Sequence, residues 1–147
     1  MPNISELEAR ALLERPLRCS DCGSWCSSGK HPGKYWIKAG LADEFGQATG
    51  LTVELRCRLA PKGKTKHFVF TVFRRKPYWT DRIYQLEANQ ARKSLKDRHE
   101  VSHEHVGDAR ILGPDSWNTW KFEQILLYFC GQTNIDFEPR PSAPEQF

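Results

Sequence analysis

No apolar run in the chain approaches the roughly 20 residues that a membrane-spanning helix needs. The longest is Ile125 to Cys130 with its neighbours. Met1 to Arg15 lacks the basic start and apolar stretch of a secretory signal, and carries Glu6, Glu8 and Glu14 instead. These absences lead us to expect a soluble, cytoplasmic protein with no membrane partner. The sequence has no Gly-rich phosphate loop, no Ser-His-Asp arrangement and no dinucleotide fingerprint, so the commonest nucleotide-binding and hydrolase signatures are excluded. It has no internal repeat, which excludes a solenoid.

What is present suffices for one domain. The 147 residues are 39% hydrophobic and 12% aromatic, enough to bury a core without disulfides. Five cysteines are an odd number, and Cys19, Cys22 and Cys26 crowd into one short stretch. In a reducing compartment such spacing favours metal or redox chemistry over a disulfide framework. The net charge of +4 is unevenly spread: residues 62–98 hold eleven Lys or Arg against three acids. A basic middle suggests an anionic partner, or a solvated polar surface.

Local pattern supplies the elements. Ser5-x-x-Glu8 fits a capping box, Ile4, Leu7, Ala11 and Leu12 an apolar stripe, and Pro16 a helix stop. Residues 17–34 read as a Cys-rich loop, and Tyr35 to Ile37 as a short strand. Leu51, Val53, Leu55, Cys57 and Leu59 alternate with polar residues, the period-two signature of a strand with one buried face. His67 to Phe73 forms a second strand of the same hairpin and Tyr78 to Leu86 a third. Asn89 to Lys96 suggests a short helix and Glu100 to Leu112 a further strand. Phe122, Ile125, Leu126 and Phe129 mark the buried stripe of a last helix, from Asp115 or Ser116 to about Cys130, with Gly131 as its left-handed stop. The expected fold is therefore α+β: an antiparallel sheet of about four to five strands, with an N-terminal and a C-terminal helix packed on it. Residues 1–138 would form a single domain and 139–147, with three prolines, a flexible tail.

Four constellations carry candidate chemistry. Cys19, Cys22, Cys26 and His31 offer four soft ligands for a structural zinc, with Cys57 or Cys130 as substitutes for His31; reduced thiols in a polar loop are the alternative. His99, His103 and His105 cluster with Glu100, Glu104 and Asp108. On a strand His103 and His105 share a face, where imidazoles titrating near neutrality perform acid–base work or bind metal. Arg98 beside them would steady a phosphate. Lys62, Lys64, Lys66, Arg74, Arg75 and Lys76, with Tyr78 and Trp79, combine cations for phosphates with rings for bases, although lysines also keep sheet edges soluble. Trp117 and Trp120 are core anchors or a protein-binding patch.

Arg82-Ile-Tyr84-Gln-Leu, His99-Glu-Val-Ser-His103-Glu-His105 and the last helix closing on Thr133-Asn-Ile135 resemble small prophage and toxin–antitoxin-associated proteins over roughly residues 51–138. Some of those are ribonuclease toxins. They carry an Arg-x-Asp where Gln85-Leu86-Glu87 stands here, and an Asn where Glu100 stands. The resemblance implies a small mobile-element protein that binds nucleic acid, RNA before DNA, with ribonuclease-like activity. The rival expectation is a non-enzymatic interaction protein that binds a host or cognate protein, such as a phage-encoded inhibitor of host defence or an antitoxin-like partner. A third is a zinc-dependent regulator.

Overall fold

Alternation of apolar and polar residues organises most of the molecule. The computed structural model describes residues 4–62, 65–90 and 101–147. Lys64, Arg98, His99 and the segment expected as a short helix after Asn89 lie largely or wholly outside the described residues. In chain order the elements are α1 (Glu6–Leu12), β1 (Leu17–Cys19), β2 (Cys26–Ser28), β3 (His31–Ala42), β4 (Ala48–Leu59), β5 (Lys66–Arg75) and β6 (Thr80–Asn89). There follow β7 (His103–Val106), β8 (Ala109–Leu112), a 3₁₀ turn (Asp115–Thr119), α2 (Phe122–Thr133) and β9 (Ile135–Phe137).

The nine strands form a single mixed sheet ordered β8-β7-β6-β5-β4-β3-β1-β9, with β2 paired to β3. Among the described residues strand accounts for 46%, against two α-helices. The expectation of a four-to-five-strand sheet with helices packed on it is therefore corrected. Three features hid the extra strands. β1 and β2 are three-residue pieces inside what reads as a polar loop. Glu100 to Leu112 contains two strands, because Gly107 turns the chain back at φ +57°. β9 runs parallel to β1, a pairing no local pattern announces.

Leu55, Phe70 and Leu86 stand in register across β4, β5 and β6, as do Cys57, Phe68 and Ala88. Both helices pack on this face. Phe122 and Phe129 of α2 meet Phe70 edge-on at 5.8 and 5.6 Å, a geometry that aromatic quadrupoles favour. In α1 the Ser5 hydroxyl accepts from the Glu8 N–H at 3.1 Å, as the capping box requires. The buried stripe is Ile4, Ala9 and Leu13, however, and Leu7 is exposed. The last helix begins only at Phe122, after the 3₁₀ turn, and ends at Asn134 (φ +58°), with Gly131 inside it.

Trp117 is buried and stacks with Trp120 and Tyr128, as core anchors do. Residues 139–147, expected as a flexible tail, pack back on the core face. The Trp25 indole donates to the Ser142 carbonyl at 2.8 Å, and Phe147 meets Tyr35 and Phe68 edge-on. Little apolar surface is needed for this: Phe147, Ala143 and the buried Pro144 seat the segment.

Candidate nucleic-acid interface

The sheet's second face is the product of the same alternation. Register places Lys34, Trp36 and Lys38 of β3 beside Arg58, Arg56 and Glu54 of β4. Arg58 faces His67, Arg56 faces Val69 and Glu54 faces Thr71 on β5. These in turn meet Asn89, Glu87 and Gln85 of β6. Glu87 and Gln85 face His103 and His105 on β7, which face Leu112 and Arg110 on β8. Both helices occupy the opposite face, so Lys34, Lys38, Arg56 and Arg58 are exposed. Two adjacent clefts lie here. One, of about 270 Å³, is lined by residues including Lys34, Trp36, Arg58, His67 and Glu87. The other, of about 310 Å³, includes Lys38, Arg56, Arg75, Arg82 and Gln85.

Glu87 is the hub of a histidine cluster. Its carboxylate lies 3.5 Å from His67 Nε2 and 3.7 Å from His103 Nε2. Burial pushes the Glu87 carboxyl up, but the His67 hydrogen bond and the charges of His67, His103 and His105 outweigh it, and the net shift is downward. His103 and His105 meet edge-on with centroids 4.8 Å apart, as their shared strand face requires. They are not equivalent. His103 is buried, with Nδ1 2.6 Å from the Val101 carbonyl. That ring is held in place and is poorly exposed to a substrate. His105 is half-buried, and its pKa is lowered to about 4, first by desolvation and then by Arg82, His103 and Arg110. Its ring is therefore neutral at pH 7. Glu104, between them in sequence, points into the core, where Tyr84 and Tyr128 hydroxyls donate to it at 3.4 and 2.5 Å. Both phenols are pushed up, first by burial.

No family model, no curated protein and no solved structure matches the chain. The site must speak for itself.

The basic hairpin expected from sequence is divided by its own geometry. Lys62 and Lys66 lie at one end of β5 and Arg74, Arg75 and Lys76 at the other, roughly 30 Å away for a ten-residue strand. Arg74 is committed to Asp81, donating through Nη2 at 3.0 Å, and stands 3.6 Å from Glu8. Trp79 Nε1 donates to the same carboxylate at 2.9 Å. Lys66 donates to the Phe147 carbonyl at 3.1 Å. Lys62 is exposed in the β4–β5 turn, and Lys76 sits in the β5–β6 turn. Among the described members of this set, Arg75 alone lines one of these two clefts.

The proposed zinc ligands are brought together only in part. Cys19 and Cys22 are buried side by side, and the Cys19 thiol is pushed up to about 12 by burial and then by Cys22. Cys26 is exposed, with its thiol toward the Ser24 carbonyl. His31 is exposed on β3, paired with Ser28. Among the described residues no three His, Cys, Asp or Glu side chains gather as a metal site.

Sequence reasoning missed Trp36, Arg56, Arg58, His67, Arg82 and Glu87 as one surface. The available signal was the polar half of each alternating strand, which reads as solvated polarity until register lines up the strands.

Proposed function

We propose that the protein binds single-stranded nucleic acid, RNA before DNA, across the open face of its sheet. One observation carries this reading: four adjacent strands, β3 to β6, present Lys34, Lys38, Arg56, Arg58 and Arg82 beside Trp36, on a face opposite both helices. Cations neutralise phosphates and release counterions, while an indole at the cleft stacks on a base of any sequence. Thr52 and Thr80 hydroxyls on the same surface suit the 2′-hydroxyls that distinguish RNA. Arg74 and Trp79, tied to Asp81, contribute little to this reading.

The histidine cluster supports phosphodiester contact more strongly than cleavage. Cleavage by the His103 and His105 pair needs both imidazoles free to reach one phosphate, and His103 is buried. Within this reading His105 and His67 contact the strand, His103 positions His105, and Glu87 holds His67. Purified protein incubated with labelled RNA decides the point. The expectation is binding without turnover. Cleavage that disappears in His105→Ala would restore the ribonuclease reading.

A second reading, the interaction protein, draws on β8. It ends the sheet and exposes Leu112, and such an edge accepts a partner's strand. A host or cognate protein that co-purifies with the wild type and is lost with Leu112→Lys would favour it.

A further inference from the structure

The second cleft has a chemistry of its own. It is lined by Lys38, Arg56, Arg75 and Arg82, with Glu54 as its one carboxylate and Thr71 and Thr80 as hydroxyls. Glu54 is matched by Arg56 at 3.2 Å. Lys38 lies 5.2 Å over the Phe73 ring. Arg75 has no ion-pair partner among the described residues.

Arg82 is the unusual member. Its Nη1 donates weakly to Gln85 Oε1 at 3.5 Å, and Gln85 is itself fixed by donating to Thr71 Oγ1 at 3.0 Å. Its Nε–H is buried with no hydrogen-bond partner. Burial lowers the Arg82 pKa despite the nearby Glu87 charge. The guanidinium is half-buried, and its orphaned Nε–H is costly, because a buried polar group without a partner loses its hydration. A planar guanidinium fork matches phosphate oxygens, and neighbouring lysine and hydroxyl donors complete such a cradle.

We infer that this pocket is a binding site for a phosphate monoester, with Arg82 as its central contact and Arg75 and Lys38 as its flanking cations. The surplus of cations over the single carboxylate suits a dianion better than the monoanion of an internal phosphodiester. The inference deepens the nucleic-acid reading and rests on it only for the ligand's source: a strand bearing a 5′-phosphate, or a free nucleotide.

The test is calorimetric titration of the full chain with inorganic phosphate, then with a nucleoside monophosphate. Saturable binding is expected, weakened about tenfold or more by Arg82→Gln, a loss of about 1.4 kcal/mol. Lys30→Ala, which removes a charge from the exposed β2–β3 turn, should leave it unchanged. If Arg82→Gln fails to fold by circular dichroism, Arg75→Ala at the exposed strand end carries the test, with a smaller loss expected. Folded wild type that binds no phosphate at millimolar concentration overturns the inference, as does affinity indifferent to both arginine variants. Oligonucleotides separate the sources. A 5′-phosphorylated RNA should bind more tightly than its 5′-hydroxyl twin, and equal affinity would overturn the monoester assignment. Phosphate binding by a protein that retains no RNA would sink the nucleic-acid reading and leave this one standing.

Discussion

His105 stands half-buried on the open face with Arg82, His103 and Arg110 around it and Glu87 as the opposing charge. Its folded pKa of about 4 lies below the ordinary histidine value of 6.5. The unfolded chain therefore takes up this proton first as pH falls. The stability linked to neutral His105 is fully present above about pH 6.5 and is lost as pH drops toward about 4. Thermal melts of wild type and His105→Asn should diverge in that window, with the variant's midpoint falling less steeply. Parallel curves would contradict the placement of this ring. Glu87 works with the same sign in a more acid window, since its lowered pKa contributes stability that is present above the unfolded carboxylate range and is lost as pH falls through it. The sequence made His103 and His105 legible as a pair sharing a strand face. It did not reveal that one is buried, because burial is decided by the neighbouring strand. Nor did it join Glu87 and His67 to them, since those sit on β6 and β5 and meet only through register.

At the scale of elements, the end of α2 is held by one residue. Asn134 adopts φ +58° and donates through its amide to the Leu13 carbonyl at 2.7 Å and the Glu14 carbonyl at 3.2 Å, so it joins the C-terminal ends of both helices. Asn134→Ala should cost about 2–3 kcal/mol in urea unfolding, combining left-handed strain with lost hydrogen bonds. Asn134→Gly should cost only about 1 kcal/mol, since glycine keeps the backbone and loses the bonds. Equal losses would remove the strain argument. The sequence pointed instead to Gly131 as the stop. A helix interior tolerates glycine at about 1 kcal/mol, and the buried Phe129 and Thr133 on either side carry the helix through. Long strands were legible for the converse reason: in β4 every second residue from Leu51 to Cys57 is buried, so pattern and packing agree. The three-residue strands β1, β2 and β9 are too short to show a period, and their pairing is set by tertiary contacts alone.

At the scale of the molecule, one sheet separates two chemistries. Its inner face gathers Phe68, Phe70, Phe122 and Phe129 into an aromatic core; its outer face gathers cations, an indole and the histidine cluster. The charge count along the chain pointed to a basic middle but misplaced the basic surface. Most of it, Lys34, Lys38, Arg56 and Arg58, comes from β3 and the later part of β4, outside residues 62–98, and only register brings it beside β6. If that surface holds RNA, Arg56→Glu with Arg58→Glu should remove two phosphate contacts and add repulsion without touching the core, leaving the unfolding midpoint nearly unchanged. The most direct test is the affinity for a single-stranded RNA, measured across a salt series for wild type and for this double variant. The account predicts that log affinity falls linearly with log salt at about 0.7 per phosphate contact, and that the variant binds at least about tenfold more weakly with a shallower slope. Affinity indifferent to salt, or a folded variant that binds RNA as tightly as wild type, would contradict it.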